Sequence, residues 1–302
     1  MPRETGYKEG SGYTSRGMDK NRIRTKWESL DGRRVRLRAA LPACARGQDA
    51  PTHPPLLLIH GLAGSADAWE PMLRCLQHGA LQQGALDRPV YGVDLPGFGH
   101  SQGPPYALGM TELADWLARL LDLLGIARAH VAGVSMGCQV ALALAHRHPK
   151  RVCALVLVGP TLGGRAVPLW RYILGMALNT PREPWFYKAL AIRMFFQMGP
   201  LRYAATVREM MSDDTLARAV QVAAPTLVVR GSADGLVPEA SVRRLTVALP
   251  NGAFAAILGA GHVVQYHRAQ DLARLVQAHC WGDAEPEVGQ ALWRRPDIPG
   301  KR

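Results

Sequence analysis

Five residues, Gly133-Val134-Ser135-Met136-Gly137, constrain this chain more than any others. They follow an apolar run, Ala129–Val134, and precede a stretch with helical apolar spacing, Met136–His146. A G-x-S-x-G between a strand and a helix predicts a tight turn whose small residues avoid backbone clashes and push the serine out beyond the carboxyl end of the strand. A helix opening at Met136 offers unpaired N–H groups and the positive end of its dipole to a developing oxyanion. In a chain with 31 glycines the same letters can arise by chance. The strand–helix context is what gives them weight.

That context repeats along the chain. Leu56–Ile59, Val90–Val93, Val152–Val158, Thr226–Arg230 and Phe254–Leu258 are short continuous apolar runs, the pattern of strands buried on both faces. Helical segments lie between or after them over Thr111–Leu124, Glu239–Leu249 and Arg268–His279, the first stopping at Gly125. Ahead of these, WESLDGRRVRLRAAL reads as a hairpin turning at Asp31-Gly32. Strands alternating with helices predict an α/β fold, a doubly wound and mostly parallel sheet covered on both faces. The expected organisation is a disordered basic arm over 1–25, a core over 26–159 and 223–281, an inserted helical cap over 160–222, and a loose extension over 282–302.

Composition narrows the class. With 302 residues, 48% of them hydrophobic and 20% charged, the chain can bury a large core. It lacks both a run long enough for a membrane helix and an apolar leader after Met1, so the expectation is a cytoplasmic protein with no stable membrane insertion. The net charge of +12 raises the question of nucleic acid, but the basic residues are spread out and carry no nucleic-acid motif, so no such partner is expected. Five cysteines, an odd number at wide spacings, point to neither a disulfide framework nor a zinc site. Cys138 reads as a small buried thiol filling a gap between helix and sheet. No cofactor and no metal are expected, and the sequence leaves oligomeric state open.

Four further segments carry candidate chemistry. LLLIHGLAGSADAW ends a strand at His60-Gly61, where glycine allows close backbone approach; the N–H groups of Leu62 and Met136 are the candidate oxyanion donors. Ser65 and Trp69 read as residues that hold and underpin this loop, and His60 as a structural histidine. VYGVDLPGFGHSQG places Asp94 in a glycine-rich turn, where an Asp side chain typically fixes the loop through backbone hydrogen bonds. TLVVRGSADGLVP sets Asp234 in a polar turn after a strand. AILGAGHVVQ sets His262 just past the last strand. Ser135, Asp234 and His262 are thus the candidate nucleophile, orienting acid and base.

HGLAGS, DLPGFGHS, GVSMG, RGSADGLVP and GAGHVVQ, in this order, resemble the α/β-hydrolase superfamily over residues 27–281. The chain order Ser, Asp, His is the one that fold uses. The resemblance implies attack by Ser135 on a carbonyl, proton transfer to His262, support of the imidazolium by Asp234, and hydrolysis of an acyl-enzyme. Serine at 135 argues against the dehalogenase and epoxide hydrolase branches, which use an Asp nucleophile. HGLAG departs from the HGGPG of proline iminopeptidases. Carbon–carbon bond hydrolases keep the three residues but often carry Trp after the histidine, where this chain has Val263. The elbow resembles that of cofactor-free haloperoxidase-like esterases, and a carboxylesterase acting on a small apolar ester is the expectation. An acyltransferase and a non-catalytic ligand receptor on the same fold are the other readings.

The segment from Pro160 to Val222 is rich in aromatics and methionines. Most of them should pack the cap itself. So many large side chains exceed what an insert of this size can bury alone, so Trp170, Trp185, Phe186, Phe195 and Phe196 are the candidate substrate-binding residues, lining an adaptable apolar pocket above Ser135.

Overall fold

Asp31 and Gly32 both take positive φ, 53° and 72°, the backbone of a two-residue turn whose twist matches that of its flanking strands. They join β1 (Arg24–Leu30) to β2 (Arg33–Ala40), with Leu30 opposite Arg33. This computed structural model describes residues 23–41, 54–82, 88–164, 167–179, 185–282 and 292–293. The strand begins two positions inside the segment expected to be an arm; residues 1–22 lie outside the described part.

The following elements are β3 (Leu56–Ile59), α1 (Glu70–Gln82), β4 (Val90–Val93), α2 (Met110–Leu123), β5 (Ala129–Val134), α3 (Met136–Arg147) and β6 (Val152–Val158). Four helices come next: α4 (Leu169–Asn179), α5 (Trp185–Met198), α6 (Pro200–Ser212) and α7 (Thr215–Ala219). The chain then returns to the sheet with β7 (Thr226–Gly231), α8 (Glu239–Ala248), β8 (Gly252–Ile257), α9 (Val264–His267) and α10 (Ala269–Trp281). Leu292–Trp293 forms β9, pairing with Ala255 and Phe254 of β8, so part of the expected loose extension is held by the sheet. Among the described residues, nine strands lie in the order β1-β2-β4-β3-β5-β6-β7-β8-β9. The six from β4 to β8 are parallel, and the edges are antiparallel.

The apolar runs alternate between two cores. Leu57 and Ile59 pack with Val131, Leu155 and Leu157 under α2, α3 and α8. Leu56 and Leu58 pack with Ala132, Val134, Val156 and Val158 against α1 and α10. All four residues of β3 are buried, each contributing roughly 1.5–3 kcal/mol. Among the described residues no helix is long and apolar enough to cross a membrane.

This topology positions the site. The chain leaves β3 through α1 to reach β4 on one side, then crosses back through α2 to β5 on the other. The connections after β3 and β5 therefore run over opposite faces, and a crevice opens between the carboxyl ends of these neighbours, where ligands bind in open α/β sheets. Gly61 follows β3, and Ser135 follows β5.

Candidate active site

Ser135 sits at φ 55°, ψ −120°, a conformation that costs a non-glycine residue about 1–3 kcal/mol. Its neighbours explain how the turn is tolerated. A Cβ on Gly133 would run into the carbonyl of Gly137, and one on Gly137 would stand 2.5 Å from the Ile59 oxygen. The Ser135 N–H donates to Val158 O at 2.9 Å, pinning the turn to β6. Gly61 approaches from the other strand, and a Cβ there would stand 3.1 Å from Cβ of Ser135.

The loop after β3 turns tightly, with Gly64 N donating to Gly61 O at 3.1 Å and Ala63 at φ 49°. Among the described residues neither the Leu62 N–H nor the Met136 N–H makes a backbone hydrogen bond. Ser65 accepts from Asp67 N at 3.3 Å, and Trp69 is fully buried beneath the loop.

His60 has both ring nitrogens engaged. Nδ1–H donates to Gly61 O at 2.8 Å, and Nε2 accepts from the Leu95 N–H at 3.1 Å. Burial pushes this imidazole below its ordinary value, so it is a neutral structural bridge between two loops. Asp94 is similarly committed. Its carboxylate accepts from Ala66 N at 2.6 Å and His100 N at 2.8 Å, with Arg36 at 3.3 Å.

Asp234 and His262 follow the adjacent strands β7 and β8. Asp234 Oδ2 lies 2.9 Å from His262 Nδ1, while Oδ1 accepts from Leu236 N at 2.8 Å and Val237 N at 3.0 Å. Burial works to raise the Asp234 carboxyl, but the His262 charge and hydrogen bond, with the two N–H donors, carry it below the usual carboxylate range. An ionised Asp234 holds the Nδ1–H tautomer and leaves Nε2 as the basic nitrogen.

Three residues here were not singled out from the sequence, although Arg230 opens the RGSADGLVP segment. Arg230, buried, donates to the carbonyls of Val237, Gly231, Ser232 and Asp234 and so braces the acid turn. Gly159, at φ 52°, backs the His262–Asp234 pair. Gln139, one turn along α3 from Ser135, donates to Met210 O at 3.0 Å and Thr215 Oγ1 at 3.1 Å, tying the serine's helix to α6 and α7. Cys138 fills the gap behind the elbow, its Sγ 3.2 Å from Gly133 O, and burial pushes the thiol far up.

A cavity of about 420 Å³ brings Ser135, His262 and Leu62 together beneath the inserted helices. Phe195 and Phe196 line it, with Ile192, Tyr203 and Met210. Phe196 and Ile192 are also exposed, so they form the rim. Trp170 is kept off the wall: it projects from α4 roughly opposite the buried Tyr172 and is 59% exposed, with Arg171 over its ring. The side chains of Trp185 and Phe186 lie outside the described part of the structure.

Residues 54–205 match the family model described as alpha/beta hydrolase fold. The dihydrolipoyllysine-residue acetyltransferase component of the acetoin cleaving system of Pseudomonas putida is 31% identical over 72% of this chain, which spans only 61% of that relative's length. The 2-hydroxymuconate semialdehyde hydrolase of Pseudomonas putida is 31% identical, covering 74% of this chain and 85% of its own. Among solved structures, a bacterial membrane phospholipase A superposes with a TM-score of 0.69 at 22% identity, covering 86% of both chains.

Proposed function

The chain belongs to the α/β-hydrolase family, and from that premise we propose that it is a serine hydrolase that cleaves a lipophilic carboxylic ester. Ser135 attacks the ester carbonyl as His262 Nε2 takes its proton. The Leu62 and Met136 N–H groups receive the oxyanion, a contribution of about 3–4 kcal/mol per donor in comparable sites. The imidazolium, steadied by Asp234, returns the proton to the leaving alcohol. Water then attacks the acyl-enzyme by the same route. The observation that carries this reading is the shared cavity: Ser135 and His262 line a largely apolar space, and His262 is oriented by a buried, ionised carboxylate.

Carbon–carbon bond hydrolysis is the second reading, favoured by the similarity to 2-hydroxymuconate semialdehyde hydrolase. Such an acidic substrate calls for a cationic partner. Among the described residues that line the cavity there is no arginine or lysine, and Val263 occupies the position after His262. Both points favour a neutral ester.

Nitrophenyl esters from acetate to dodecanoate test the proposal beside 2-hydroxymuconate semialdehyde. The expected result is kcat/KM rising with chain length, by a factor of about four or less per methylene, until the cavity fills. Activity falling steadily from acetate, or confined to the semialdehyde, would overturn it.

A further inference from the structure

α4 is apolar on both faces, and the fold covers only one of them. On its inner face Tyr172 is buried against the cavity, and Gly175 lies so close to the acid turn that a Cβ there would stand 2.6 Å from Gly235 O. These contacts fix the rotation of the helix. They leave Leu169, Trp170, Ile173 and Leu174 between 42% and 59% exposed, with Ala177 exposed one turn further on. Trp170, Ile173, Leu174 and Ala177 follow the i, i+3, i+4, i+7 spacing of one helix stripe. Large apolar groups side by side in water mark a surface that something else covers.

Charge indicates what the cover is. α4 and α5 carry Arg171, Lys188 and Arg193 and no Asp or Glu. Elsewhere exposed arginines meet carboxylates, as Arg147 meets Asp115 at 2.8 Å and Arg243 meets Glu239 at 2.6 Å. Among the described residues Arg171 and Arg193 form no ion pair, and Arg171 lies over the Trp170 ring, 5.6 Å from its centroid. A second copy on this face would bring the same cations together, and residues 1–22 are polar and net positive, so both are poor covers. A bilayer interface suits a stripe of Trp, Ile and Leu flanked by arginine. The aliphatic groups enter the boundary between headgroups and acyl chains, the indole sits at headgroup level, and the guanidinium reaches lipid phosphates.

We propose that the outer face of α4 adsorbs to the surface of an anionic lipid bilayer. The contact is peripheral, since a helix of 11 residues is too short to span the hydrocarbon core. Because Tyr172 lines the cavity from the opposite face of α4, the lipid lies about one helix diameter, roughly 10 Å, from the site.

Cosedimentation of the full chain with vesicles tests this without reference to turnover, so its outcome is independent of the ester reading. The vesicles are phosphatidylcholine alone, or phosphatidylcholine with about one lipid in three replaced by phosphatidylglycerol. The chain is expected to partition at least about tenfold more strongly onto the anionic vesicles, and to lose most of that advantage in about 0.5 M salt. Replacing Trp170, Ile173 and Leu174 together by Ser is expected to lower partitioning at least about tenfold. Arg171→Glu alone is expected to lower it by about fivefold or more. Both variants should melt near the wild-type temperature, because the altered side chains are exposed. Arg244→Glu, on α8, makes the same change in net charge and is expected to cost less than Arg171→Glu. Equal partitioning onto neutral and anionic vesicles, or unchanged partitioning of both α4 variants, would overturn the assignment. So would an equal loss in Arg244→Glu, which would trace binding to net charge alone. A dimer that the α4 substitutions dissolve, in a chain that ignores both vesicles, would put a second copy on this face and equally overturn it.

Discussion

Gly159 stands directly behind the His262 ring: a Cβ built on it would lie 3.1 Å from both Cε1 and Nδ1 of the imidazole, and 3.4 Å from Oδ2 of Asp234. Its backbone is at φ 52° and is fixed by N–H donation to Val229 O at 2.8 Å. Gly159→Ala therefore adds left-handed strain of about 1 kcal/mol and pushes on His262, the proposed base. Its kcat on a nitrophenyl ester is expected to fall at least about tenfold, with only a small drop in melting temperature, since misplacing a catalytic group by a fraction of an ångström is costly. Wild-type kcat in a folded Gly159→Ala protein would show that the ring position has slack.

Asp94 and Asp234 are both buried and each follows a strand of the sheet, and their partners separate them. Asp234 meets His262; Asp94 meets Ala66 N, His100 N and Arg36. Asp234→Asn is expected to lower kcat by about three to four orders of magnitude by spoiling the tautomer, with modest loss of stability. Asp94→Asn is expected to lower stability by about 1–3 kcal/mol and to leave kcat nearly intact in the folded fraction. Kinetics and denaturant melts on both variants read this directly. The reverse pattern would exchange their roles.

The strands and the elbow were legible because burial on both faces leaves a contiguous apolar run, and because a strained serine turn demands small neighbours at fixed spacing. β3, β4, β5 and β6 have the expected bounds. α1 escaped the sequence reading although Met72, Leu73 and Leu76 have helical spacing, since it follows the HGLAGSADAW loop without a break. Gly159, Arg230 and Gln139 were not legible as site residues. Gly159 and Gln139 act through contacts made only once separate strands and helices are brought together, while Arg230 stands inside the RGSADGLVP segment but its bracing of that turn needs the turn's three-dimensional shape. Trp170, Phe195 and Phe196 were alike in sequence as large aromatics; their helices' positions and rotation put Phe195 on the cavity wall, Phe196 on its exposed rim and Trp170 on the outside.

His60 makes stability depend on pH. Its imidazole is held neutral by burial and accepts from the Leu95 N–H, so its folded value lies below the ordinary 6.5. The unfolded chain then binds a proton that the folded chain refuses. The stabilisation is full above 6.5 and is lost as pH falls from there toward the lower folded value. Melting temperature is expected to decline below that point in the wild type, and to decline less steeply in His60→Gln. Identical slopes in the two proteins would remove His60 as the cause.

The central claim is that Ser135 is a nucleophile activated in this cleft. A phosphonofluoridate reports on it without reference to any natural substrate, because the attacking oxygen displaces fluoride and leaves one stable phosphonyl ester. Mass spectrometry of the digested protein is expected to find a single phosphonyl group, on the peptide carrying Ser135, with ester hydrolysis lost in step with labelling. Ser135→Ala should fold, resist the reagent and lose about four or more orders of magnitude in kcat. Labelling on a different residue, or full ester hydrolysis by Ser135→Ala, would contradict the account.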